Sequence, residues 1–221
     1  MTNENSRINW FRSSGPVIEL PRNQIRRVAL WDVTRKCDLR CIHCYNYDKY
    51  MAKTPDVINE TSTREAIEII DKLADFGFNQ IHFLGGEPLN RKDCFILFSH
   101  AVKKGLKVTI NTNGIRLSDE YIKRIINSGV SQVAVSLDGS DEISNDLIRG
   151  YGTFHRVTEN IATFSHMLEN KNINLLLGII STLTLPLLKT PEKIGEYFYL
   201  ADELGVKWLN FIFLYKNSKK E

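Results

Sequence analysis

Strand-like and helix-like segments alternate along this chain from Val28 onward, and that alternation restricts the fold more than any other feature. Val28–Thr34, Gln80–Leu84, Leu106–Ile110, Gln132–Leu137, Ile173–Thr182 and Trp208–Phe213 are short apolar runs rich in β-branched and aromatic residues. The segments between them carry helix signals. Thr61-Ser-Thr63 opens one helix, in which Ala66, Ile67, Ile70, Leu73 and Ala74 recur at helical spacing before Gly77. Cys94–Lys104 ends at Gly105, and a helix from a Ser118 cap to Asn127 ends at Gly129. Thr153–Glu169 has Val157, Ile161, Phe164 and Leu168 on one face, and Pro191–Leu204 is stopped by Gly205. Near-continuous apolar strands separated by helices imply a parallel sheet with covered faces. An eight-stranded barrel takes about 250 residues. Six strands and five intervening helices in 221 residues therefore predict an α/β fold, a partial (β/α)6 TIM-like barrel with its active edge at the strand C-termini.

Composition narrows the function. Hydrophobic residues make up 43% and charged residues 25%, which fits one sizeable core. A net charge of +3 without a dense Lys/Arg stripe argues against a nucleic-acid partner. No run approaches the length of a membrane span. The polar start, Met1-Thr-Asn-Glu-Asn-Ser-Arg7, lacks a signal-peptide apolar region. These features predict a cytoplasmic protein with no membrane contact, where the four cysteines stay reduced. The expected organisation is an N-terminal extension over residues 1–27, a core over 28–215 and a polar tail over 216–221.

Three of the cysteines stand together just after the first strand, as Cys37-Asp-Leu-Arg-Cys41-Ile-His-Cys44-Tyr45. Three soft thiolates in an irregular loop suit an iron–sulfur cluster or zinc. A four-iron cluster normally takes four cysteines, so three leave one iron open to a small molecule. Half of a zinc site, or a disulfide with a spare thiol, are the competing readings, although no second ligand pair of the usual zinc spacing follows. His43 is either a ligand or a spacer, and Cys94, alone in an apolar stretch, reads as a buried structural thiol.

Cys37-x3-Cys41-x2-Cys44 after the first strand and Leu84-Gly-Gly-Glu-Pro88 after the second resemble the radical S-adenosylmethionine superfamily. The segment Asp38–Tyr45 is most similar to its branch that modifies peptides and matures haem-type or quinone cofactors, the branch often carrying a C-terminal cysteine-rich (SPASM-like) extension. No such cysteines follow here. The resemblance implies that Cys37, Cys41 and Cys44 hold a [4Fe–4S] cluster and that S-adenosyl-L-methionine binds its open iron. It implies that Gly85, Gly86, Glu87 and Pro88 meet the methionine amino group, and that Asn113 and Ser136 lie near the ribose and methionine portions. By the same resemblance Asp138 accepts a ribose hydroxyl, Arg149 pairs with the methionine carboxylate and Tyr45 flanks the adenine. From the residues alone, Asp138 also reads as a turn residue, and Arg149 as a surface partner of Asp146 or Glu142.

The activity so implied is reductive cleavage of S-adenosylmethionine to a 5′-deoxyadenosyl radical, which takes hydrogen from a peptide or cofactor-precursor substrate. An electron donor such as flavodoxin or ferredoxin is implied with it. A non-enzymatic iron–sulfur or zinc module and a truncated, catalytically silent paralogue are the alternatives.

Overall fold

The computed structural model describes residues 26–45 and 60–213. Most of the expected N-terminal extension, with its residues 1–25, and the polar tail at 216–221 lie outside the described residues. Six strands follow one another: β1 (Val28–Thr34), β2 (Gln80–Gly85), β3 (Lys107–Thr112), β4 (Gln132–Ser136), β5 (Leu176–Leu183) and β6 (Trp208–Phe213). They form one sheet in strict sequence order, every neighbouring pair parallel. Parallel neighbours need a crossover, and helices supply it: α1 (Thr63–Asp75), α2 (Cys94–Lys103), α3 (Asp119–Asn127), α4 (Glu142–Arg149), α5 (Thr153–Asn170) and α6 (Pro191–Glu203). The sheet does not close on itself, so the architecture is a partial barrel.

Strand alternation divides the sheet into two chemically different faces. Ile81, Phe83, Val108, Ile110, Val133, Val135, Leu177 and Ile179 are fully buried or nearly so and pack with Ile70, Leu97, Phe98, Ile122, Ile125, Ile161 and Phe164 of the helices. The other face is polar. Gln80 bonds to His82 (2.7 Å) and to Thr109 (3.1 Å), and Thr109 donates to Gln132 (3.1 Å). One row along, Asn111, Ala134, Gly178 and Trp208 stand in register across four strands. A Cβ at Gly178 would lie 2.3 Å from the Trp208 ring, so the glycine makes room for the indole.

One expectation is corrected here. Sequence periodicity predicts five intervening helices, but Glu142–Arg149 forms a further one, α4, which makes six among the described residues. Asp141 and Ser144 form its capping box. Elsewhere element ends move by a few residues: β5 starts at Leu176 because Ile173 N still bonds to Leu168 O, closing α5.

Candidate active site

The cysteine loop leaves β1 at the C-terminal edge of the sheet and is held from two sides. On the β2 side, Gly86 N donates to Thr34 O and Glu87 N to Lys36 O, both at 2.7 Å. A Cβ on Gly85 would sit 2.2 Å from Thr34 O, and one on Gly86 2.3 Å from Lys36 O. Gly85 also has φ +126°, a backbone state that L side chains rarely adopt. These glycines thus let one loop lie directly on the backbone leading to Cys37.

Glu87 is completely buried. Its carboxylate accepts from Leu89 N (3.0 Å), Thr112 Oγ1 (2.8 Å) and Asn113 N (2.6 Å). Burial pushes the group up to about 7 despite these donors. Asn113, oriented by this grip, donates from Nδ2 to Asp38 (2.6 Å) and lies 3.7 Å from Cys37 Sγ. Pro88 starts the tight turn Pro88–Asn90 that aims Glu87 inward.

On the opposite side, Ile42 N donates to Ile148 O at the end of α4 (3.0 Å). His43 Nε2 and Arg149 Nε lie 2.8 and 2.7 Å from the same oxygen, Asp138 Oδ2. The other Asp138 oxygen accepts Thr182 N of β5 (2.7 Å), and Asp138 N donates to Asn145 of α4 (3.0 Å). Burial alone would lift the Asp138 carboxyl; Arg149 and His43 beside it hold it below the usual carboxylate range. Arg149 Nη1 also lies 4.0 Å from Cys41 Sγ. Neither Asp146 nor Glu142 pairs with Arg149: Asp146 is bound to Thr153 Oγ1 and Phe154 N, and Glu142 lies 3.4 Å from His155.

The expected site residues therefore gather at one sheet edge. Cys37, Cys41, Gly85, Gly86, Glu87, Pro88, Asn113, Asp138 and Arg149 belong to this connected cluster. Cys44 is tied in through its own N–H to Cys41 O (3.1 Å). Tyr45 projects outward, 72% exposed, and donates its hydroxyl to Asp32 (3.0 Å). Ser136, half-buried, lies in register with Ile180 and Asn210 on the polar face. Sequence reasoning missed Asn145 and the shared role of His43. The capping box of α4 and the Cys-x-His-Cys spacing were the available signals.

The donor set is thiol-rich. Cys37, Cys41, Cys44 and Cys94 are all free. Burial pushes Cys37 up to about 11 and raises Cys41 too, with Arg149 opposing the rise at Cys41. Cys94, 1% exposed inside the core, is pushed up to about 12 by burial. A zinc site needs its ligands on one tetrahedron at about 2.3 Å for sulfur. A cluster takes one thiolate on each of several irons and so a wider triangle. The site is described here without any metal; by donor chemistry the three soft thiols of this loop suit iron–sulfur or zinc ligation.

A six-stranded partial barrel with three cysteines in the loop after β1 and Gly-Gly-Glu-Pro after β2 defines a class of protein, and comparison with known sequences gives the same class. Residues 31–183 match the model of the Radical SAM superfamily, and the chain belongs to that family. It is 45% identical over 123 residues to the Fe-coproporphyrin III synthase of Methanosarcina barkeri (strain Fusaro), covering 56% of this chain and 30% of that protein. It is 32% identical over 190 residues to an AdoMet-dependent heme synthase of the same organism, covering 85% and 50%. The chain thus spans half or less of the length of these two relatives. Among solved structures, Streptococcus suis SuiB bound to S-adenosylmethionine superposes with TM-score 0.70 at 19% identity, over 87% of this chain and 41% of SuiB. That likeness concerns the fold.

Proposed function

We propose that the chain is the catalytic core of a radical S-adenosylmethionine enzyme acting on a peptide or a cofactor precursor. The observation that carries this reading is the cysteine loop of a family member, clasped at the open edge of the sheet by Glu87–Asn113 on one side and Asp138–Arg149 on the other. Cys37, Cys41 and Cys44 would hold a [4Fe–4S] cluster. When bound, that cluster supplies the electron that splits S-adenosylmethionine into methionine and the 5′-deoxyadenosyl radical.

The chain's own residues bind, orient and exclude water. Gly85, Gly86 and Pro88 shape the loop over which the methionine amino group lies, with Glu87 fixing it from below. Arg149, held at Nε by Asp138, keeps the rest of its guanidinium for the methionine carboxylate. Asn113 and Ser136 face the ribose and methionine portions, with Asp138 behind them, and Tyr45 flanks the adenine. Substrate lies on the polar sheet face. There Asn111 Oδ1 and Trp208 Nε1 are buried with no hydrogen-bond partner, and buried polar atoms of this kind call for one. The names of the relatives support both substrate classes: they include an Fe-coproporphyrin III synthase and AdoMet-dependent heme synthases, and also PqqA peptide cyclase and mycofactocin maturase MftC. A flavodoxin or ferredoxin would deliver the electron.

The test is anaerobic reconstitution with iron and sulfide, then incubation with dithionite and S-adenosylmethionine. Wild-type protein is expected to release 5′-deoxyadenosine and Cys41→Ala to release none. Protein that holds zinc, or holds iron without binding S-adenosylmethionine, overturns the reading.

A further inference from the structure

His43 stands inside the cysteine loop, between Cys41 and Cys44, yet its side chain is only 11% exposed and is turned onto Asp138. The bond from Ile42 N to Ile148 O fixes the loop against the end of α4 at this point. A histidine is unfavourable in such a place unless its polar atoms are used. Nδ1 is buried with no hydrogen-bond partner among the described residues, and an atom left so loses its water without replacement. The one hydrogen bond of the ring joins Nε2 to Asp138 Oδ2 at 2.8 Å. A carboxylate only accepts, so Nε2 is the donor. An aliphatic side chain would fill the same space without an unmet nitrogen, so the reason for a histidine lies in that one bond.

The oxygen that His43 takes is contested. Arg149 Nε lies 2.7 Å from the same Asp138 Oδ2, but it is buried without an aligned hydrogen bond, so the guanidinium is held there by charge alone. The carboxylate cannot turn to suit it. Its other oxygen accepts Thr182 N of β5 at 2.7 Å, and Asp138 N donates to Asn145 of α4 at 3.0 Å. Among the described residues Arg149 Nη1 reaches only Cys41 Sγ, at 4.0 Å, and neither Nη donates to an oxygen. A guanidinium beside a carboxylate ordinarily closes on it as a two-pronged fork. Here His43 occupies the line of approach to Oδ2, and the fork stays open.

We propose that His43 is a positioning residue for S-adenosylmethionine: by holding Asp138 Oδ2 it keeps Arg149 from closing on that carboxylate and leaves the two Nη groups for the carboxylate of the methionine portion. This rests on the radical reading above, in which Arg149 pairs with that carboxylate, and it adds the residue that sets the arginine's geometry. In this role His43 acts through Asp138 and touches no reacting atom. Without its bond, Arg149 and Asp138 form a closed bidentate pair, which the nucleotide has to open before it can bind. The loss then falls on binding of the nucleotide and not on the cluster.

The test compares His43→Gln with His43→Asn in the full chain, reconstituted anaerobically with iron and sulfide. The glutamine amide nitrogen falls where Nε2 lies and can still donate to Asp138; the asparagine nitrogen falls where Nδ1 lies and is too short. Iron per chain is measured first. Binding of S-adenosylmethionine and of its decarboxylated form is then followed by equilibrium dialysis, and by the electron paramagnetic resonance signal of the dithionite-reduced cluster. Both variants are expected to hold as much iron as wild type. His43→Asn should bind S-adenosylmethionine about tenfold or more weakly, and His43→Gln within about threefold of wild type, the range that loss of an outer hydrogen-bond partner covers. The decarboxylated form lacks the group that Arg149 takes and should bind all three proteins alike. The proposal is overturned if His43→Asn binds S-adenosylmethionine as wild type does, or if His43→Gln is as weak as His43→Asn. It is overturned equally if the decarboxylated form is weakened to the same degree, or if His43→Asn loses its iron, because His43 then supports the loop and does not aim Arg149. A wild-type chain that holds iron and binds no S-adenosylmethionine overturns the radical reading itself, and this proposal with it.

Discussion

Arg149 Nε lies 2.7 Å from Asp138 Oδ2, and both side chains are almost wholly buried. The pair bridges two elements that the sequence separates: Asp138 follows β4 and Arg149 ends α4. Removing one partner of such a pair leaves an uncompensated buried charge and typically costs about 3–5 kcal/mol. Asp138→Asn is therefore expected to lower stability by that order in anaerobic urea unfolding. Arg149→Met on its own strands the carboxylate, and the double variant should recover part of the loss. Additive losses would show that the two do not act as a unit.

The glycine clasp gives a second expectation. Gly86→Ala puts a methyl 2.3 Å from Lys36 O and 2.7 Å from Arg35 O, both backbone atoms, so the approach to Cys37 must move. Iron bound per chain after reconstitution should fall well below wild type. Gly195→Ala, in α6 with nothing within 4 Å, is the matched control and should keep its iron.

Glu87 makes the stability of the metal-free protein depend on pH. Its folded-state value of about 7 lies above the ordinary 4.5. The folded chain therefore holds a proton that the unfolded chain has released across that window. Stability contributed by the protonated form is present below about 4.5 and is lost as pH rises toward 7, by roughly 3 kcal/mol for a shift of this size. Glu87→Gln should flatten the slope between these pH values. It should also lower the unfolding midpoint throughout, because an amide cannot accept all three of the donors that Glu87 now holds.

Cys94 offers a control for the thiols. It is buried in the core at the start of α2, away from the loop that carries the other three cysteines. Cys94→Ala should cost about 1–2 kcal/mol in unfolding as a small cavity and leave bound iron unchanged. A fall in iron equal to that in Cys41→Ala would make Cys94 a ligand.

Much of this architecture was legible because its signals are periodic. Six apolar strands ending in polar or glycine-rich stretches gave both the sheet and its working edge, since loops after parallel strands share one face. Helix α4 stayed hidden for a physical reason. Glu142–Arg149 has three apolar residues, and Ile143 and Leu147 point outward; the residues it buries include Ser144, Asn145 and Arg149. A helix seated by polar contacts has no inward apolar stripe to read. The Asp138 junction was hidden by distance, since its partners are residues 43, 149 and 182. A sequence shows each of them next to unrelated neighbours.

The strict β1-to-β6 order has a consequence for how the molecule is made. No strand inserts between two earlier ones, so each new βα unit joins the free flank of what is already assembled, and closure of each unit spans only a short length of chain. The barrel can grow by accretion as the chain emerges from the ribosome. The thiol loop, made first, is gripped on one side by β2 and β3 and receives its second anchorage only when β4, α4 and β5 arrive. Metal delivered during synthesis would meet a loop that is half secured.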